Sequence, residues 1–145
     1  MIQIKESKYK DKFIIGVDFG DVTTGLALGK NNVVSPIRSV EAKDKMFAVQ
    51  QISRAAMEQK ASAIVLGLPL SIDGKPTKKS LEVRGFAKLL QTHLGIPVIF
   101  VDEFGSTEEA QEEAIGEGLP RRAKRNIDGI SASIILKRFF ANEGF

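Results

Sequence analysis

Two apolar runs constrain this chain most: "SAIVLGLP" at residues 62–69 and "IPVIFVDE" at 96–103. Both are continuous rather than alternating, the pattern of strands covered on both faces by helices. Each follows a segment with helical spacing. Met46, Val49, Ile52, Ser53 and Ala56 mark one helix over 43–59. Val83, Phe86, Ala87, Leu90 and Leu94 mark a second after the polar loop "LSIDGKPTK", with Gly95 as its stop. Strands entered through such crossovers pair parallel.

The upstream pattern differs. Residues 13–19 read as a strand, Gly20-Asp21 supplies a tight two-residue turn, and "VTTGLALG" at 22–29 returns antiparallel. "NVVSPIRSV" fits a third strand, placed at an edge because Pro36 has no N–H to donate. Downstream, the Ser106 to Glu109 spacing of a capping box starts a short acidic helix. Ile127, Ile130, Ile134 and Phe139 trace a last helix. The predicted order, β-β-β-α-β-α-β-α-α, is that of an α/β fold. Its mixed five-stranded sheet combines a three-strand antiparallel meander with two parallel strands and is flanked by helices. No linker or repeat interrupts residues 1–145, which read as one domain.

One residue conflicts with the first strand. In "FIIGVDFG", Asp18 sits amid Phe13, Ile14, Ile15 and Val17, and a lone buried carboxylate there would be costly. Two further acids occupy comparable places: Glu103 at the end of the last strand and Asp128 at the start of the last helix. If the late parallel strands flank the first, Asp18 and Glu103 are neighbours across the sheet. The helix from 127 then brings Asp128 to the same end, and the small Ala132 allows its close approach. Asp102 alternates to the opposite face and is a secondary candidate. Two carboxylates about 5 Å apart repel by roughly 3 kcal/mol at an effective dielectric of 20, and three mutual pairs by about 10 kcal/mol. Unless its carboxylates protonate, such a cluster needs cations. The chain has no cysteine and one histidine, His93, so oxygen ligands and a hard ion, Mg²⁺ or Mn²⁺, are expected. Two such ions about 4 Å apart would activate a water and stabilise the leaving oxygen of a phosphodiester. Asp18, Glu103 and Asp128 are therefore the candidate catalytic and metal-binding residues.

Net charge is only +3, but it is segregated. Residues 102–117 carry seven acids and no base. Arg121, Arg122, Lys124 and Arg125 follow in "PRRAKR", and Lys75, Lys78 and Lys79 lie in "GKPTKKS". These seven cations are the candidate nucleic-acid contacts. The N-terminal stretch lacks the apolar run of a signal peptide, and no segment approaches membrane-spanning length, so the cytoplasm is the expected location.

"GVDFGDVTTGLALG", "IVLGLPLSIDG", "VDEFGSTEEA" and "IDGISASIIL" resemble, in order and spacing, four blocks of the YqgF/RuvX family. This family is described as Holliday-junction resolvases and as the nuclease that trims the 16S ribosomal RNA precursor. The resemblance implies an RNase H-like fold, with Asp18, Glu103 and Asp128 as the acidic metal-binding set. It also implies a loop near the site formed by Gly67, Leu68 and Pro69, and a polar pair at Ser106 and Thr107 beside the nucleic acid. Two departures stand out: Phe104 follows Glu103 where the family usually has arginine, and Asp21 to Thr24 carry none of the positive charge usual there. The partners implied are structured RNA, including ribosomal precursor particles, or branched DNA, with no membrane. The protein would be a monomer or a homodimer, since a resolvase needs two active sites. A resolvase on branched DNA and a non-catalytic ribosome-assembly module stand as alternatives. A two-domain ATPase built on "DFGDVTTG" is not expected, because 145 residues are too few for both of its domains.

Overall fold

The first strand, β1 (Ile14–Asp18), forms the centre of the sheet because its alternating side chains serve two apolar layers. A computed structural model describes residues 6–41, 44–71, 73–103 and 127–145, with side chains from 129 onward in the last segment. β2 (Thr23–Lys30) and β3 (Val33–Glu41) continue from β1 as an antiparallel meander. β4 (Ala63–Leu68) and β5 (Val98–Asp102) add parallel strands on the other side, giving the order β3-β2-β1-β4-β5. The edge position expected for Pro36 is met, on β3 opposite Ala27. The helices are α1 (Lys45–Glu58), α2 (Lys78–His93) and α3 (Ile127–Asn142).

On one face, Ile15, Val17, Leu26, Ile64 and Leu66 pack against α1 and α2. On the other, Ile14, Ala27, Ala63, Val65 and Val101 pack against α3 through Ala132, Ile135, Leu136, Phe139 and Phe140. Each fully buried Leu, Ile or Phe contributes about 1.5–3 kcal/mol. The parallel strand β4 is buried at all six positions, as its unbroken apolar run required.

Helix α3 lies close to the sheet because the strands lack side chains beneath it. A Cβ on Gly16 would fall 2.8 Å from the Ala132 carbonyl oxygen, and one on Gly29 would fall 2.7 Å from the Phe140 ring. The small residue expected at 132 thus faces a glycine, and the helix backbone nearly touches β1.

One local expectation is corrected. Gly20-Asp21 is not a two-residue hairpin turn: Asp18 pairs with Gly25, and four residues, 19–22, separate the strands. The longer connection turns Phe19 into the core, where it stacks on Phe86 at 4.4 Å between centroids. The chain doubles back so tightly that a Cβ on Gly20 would sit 2.1 Å from the Thr23 carbonyl oxygen. Helix α2 starts at Lys78, at the end of the polar loop. Thr77 caps it through the Ser80 N–H, the Ser80 hydroxyl accepts from the Thr77 N–H, and Thr77 Oγ1 donates to the Pro69 carbonyl at 2.7 Å. The acidic helix expected after Ser106 lies outside the described residues.

Candidate active site

Asp18 ends β1, and Glu103 follows β5 directly. Contrary to the expected adjacency, β4 lies between those strands. Backbones two strands apart are separated by roughly 9–10 Å. The two carboxyls nevertheless meet, and the reason is Gly67. By strand alternation Asp18, Gly67 and Glu103 share the layer of Ile14, Val65 and Val101, so both acids face the α3 side. A Cβ on Gly67 would lie 2.7 Å from Glu103 Oε2 and 2.5 Å from Ile135 Cδ1. The Glu103 carboxyl occupies the space a side chain there would fill. Gly67 and Leu68 are therefore strand residues and not part of a loop; Pro69 begins the connection. A glycine within the apolar "IVLGLP" was the available signal, since strand glycines often mark close approach.

Burial, then the like charge of Asp18, then the hydrogen bond between the two carboxyls push the Glu103 pKa up to about 9. Lys79 and Arg138 oppose this and are outweighed. Burial and like charge thus favour a pair that carries one proton at neutral pH, held in the hydrogen bond between the two carboxyls. The Glu103 backbone N–H donates to the Leu68 carbonyl at 3.3 Å. This is an all-oxygen pair, a donor set of the kind that suits a hard divalent ion.

Asp128 lies in the first turn of α3, and its side chain is outside the described set. The backbone brings that turn to the same end of the sheet: a Cβ on the next residue, Gly129, would lie 3.8 Å from the Leu26 carbonyl. Leu26 pairs with Val17, the neighbour of Asp18. Among the described residues no three His, Cys, Asp or Glu side chains gather as metal ligands. Asp102 shares the alternation of Phe100, whose ring carries Arg84 of α2 at 5.2 Å, and so takes the opposite face as expected. Its carbonyl accepts from Arg138 Nη1 at 3.0 Å, a cation from α3 that sequence patterns did not single out.

The candidate basic residues separate. Lys79 stands near the acidic pair, with Nζ 2.7 Å from Asp21 Oδ1. Lys78 opens α2, and Lys75 pairs with Asp73 in its own loop at 3.6 Å. Phe104, Ser106, Thr107, Arg121, Arg122, Lys124 and Arg125 lie outside the described residues.

A meander of three strands, two parallel strands beyond it, helices on both faces and an acidic pair at the sheet's C-terminal end define an RNase H-like fold of the resolvase type. T. thermophilus RuvC in complex with a Holliday junction substrate shares it with a TM-score of 0.58 at 14% identity, over 91% of this chain and 96% of that one. A family model, RuvX, described as Holliday junction resolvase, matches residues 12–142. The chain belongs to the RuvX family and is a hydrolase of the nuclease class. A Buchnera aphidicola relative is 35% identical over 88% of this chain and 95% of its own length. A Mycoplasma mobile relative is 32% identical over 88% and 91%. Both are named as candidate pre-16S rRNA nucleases.

Proposed function

We propose that this protein is a divalent-metal-dependent endonuclease of the cytoplasm that acts on structured RNA, with the 16S ribosomal RNA precursor, free or in ribosomal precursor particles, as its substrate. The observation that carries the reading is the contact of Asp18 and Glu103 over Gly67, a carboxyl pair poised to exchange a proton for a cation. Asp18 and Glu103 would hold the metal, with Asp128 as the third ligand from the start of α3. Bound Mg²⁺ or Mn²⁺, two ions in this reading, supplies Lewis-acid chemistry and an activated water for phosphodiester hydrolysis. Loading the site would release the pair's proton to solvent and leave the Asp18 and Glu103 carboxylates as ligands. Lys75, Lys78 and Lys79 bind backbone phosphates, as do Arg121, Arg122, Lys124 and Arg125, with Ser106 and Thr107 beside them. The names of the curated relatives support RNA as the substrate.

A second reading, a resolvase for branched DNA, is favoured by the likeness to RuvC with its junction. It requires a dimer.

The test pairs labelled precursor-type RNA with a four-way DNA junction, in Mn²⁺ and in EDTA, for the wild type and Asp18→Asn. The expected result is RNA cutting by the wild type in Mn²⁺ alone and none by the variant. Cutting of the junction alone, by a protein that sediments as a dimer, selects the second reading. Equal cutting by both proteins refutes the assigned site. Cutting by neither leaves a binding module.

A further inference from the structure

Lys79 is the second residue of α2, behind the Thr77 cap, and three contacts hold it. Its ammonium lies 4.9 Å above the Phe19 ring, 2.7 Å from Asp21 Oδ1 and 3.8 Å from Glu82 Oε2. Phe19 is itself locked against Phe86 in the core, so the surface beneath the lysine is rigid. The residue before Phe19 is Asp18. A one-third-exposed cation is thereby held next to the acidic pair from a helix 58 residues away in sequence from Asp21.

Asp21 is placed differently. Its side chain is 79% exposed on the β1–β2 connection, and Lys79 lowers its pKa through the hydrogen bond and then through charge. An exposed ion pair of this kind is weak and screened by salt, so another anion exchanges with it readily. A phosphodiester brings the same charge and accepting oxygens to the same cation. Lys75, by contrast, is mostly exposed and is paired within its own loop.

We propose that Lys79 binds a backbone phosphate of the substrate beside the scissile position. Asp21 is the resident competitor for that cation, pairing with the ammonium in the free protein and yielding it to the phosphate on binding. The inference rests on the nuclease reading and assigns one contact and one resident competitor within it.

The experiment is binding of a labelled structured RNA in EDTA, where cutting does not intervene. The proteins are the wild type, Lys79→Met, Lys79→Arg, Asp21→Asn and the Asp21→Asn/Lys79→Met double variant. Lys79→Met is expected to weaken binding about tenfold, the effect of one charge-assisted contact. It should also make the salt slope shallower by roughly 0.7–0.9. Lys79→Arg should keep wild-type affinity. Asp21→Asn should tighten binding about threefold in the wild-type background and leave the Lys79→Met background unchanged, the signature of coupled residues. Tightening that persists in the Lys79→Met background would make Asp21 a general repulsive charge and overturn the proposal. So would weaker binding by Asp21→Asn, or wild-type affinity in Lys79→Met. Any of these failures beside intact Mn²⁺-dependent cutting leaves the nuclease reading standing, whereas a wild type that binds no RNA removes both.

Discussion

Replacing Glu103 by Gln tests the acidic pair without relying on activity. The Glu103 carboxyl, buried and facing Asp18, titrates near 9 in the folded protein and near 4.5 when unfolded. Below about 4.5 it is protonated in both states, and its favourable contribution is fully present. As pH rises, the unfolded chain ionises while the folded one must retain its proton, so stability falls by about 1.36 kcal/mol per pH unit until about pH 9. At about pH 7.5, three units above the unfolded value, the accumulated loss is on the order of 4 kcal/mol. Gln has the same shape, keeps an N–H donor towards Asp18 and does not titrate. Glu103→Gln should therefore match the wild type in thermal unfolding near pH 4 and exceed it increasingly towards pH 9, with no further divergence beyond. At about pH 7.5 the gap should be roughly 10 °C in Tm, at 2–4 °C per kcal/mol for a chain of this size. The scans are run in EDTA, and other titrating groups cancel in the difference. Parallel curves for the two proteins would refute the reasoning, because they would mean that Glu103 ionises freely in the folded state.

Gly67→Ala should lower stability by about 1–3 kcal/mol through overpacking against Ile135 and should push Glu103 off Asp18. Thermal unfolding would then show a lower Tm with a weaker pH dependence than the wild type, together with loss of cutting. Thr77→Ala removes the α2 cap and the bond to the Pro69 carbonyl. A loss of about 1 kcal/mol is expected, read as a Tm drop of roughly 2–4 °C that is the same at every pH.

Much of this architecture was legible because each element carries its own pattern. The unbroken run around Val65 requires cover on both faces, Ile52 and Ala56 recur at helical spacing, and Pro36 keeps its strand at an edge. The choice of chemistry was also local: a chain with no cysteine and one histidine has oxygen to offer a metal. Asp18 stands out in the sequence because nothing beside it accounts for a carboxylate in an apolar strand.

What tertiary structure decided were the contacts whose partners lie far apart along the chain. Strand order put β4 between Asp18 and Glu103, and a missing side chain at Gly67 let them meet over it. Packing on Phe86 drew Phe19 inward and lengthened the connection beyond a two-residue turn. The same packing left the ring on which Lys79 rests, opposite Asp21. Periodicity and capping depend on neighbours three or four residues away and so can be read along a sequence. Clearance above a glycine, or the distance between charges on different elements, exists only after the sheet and helices have packed.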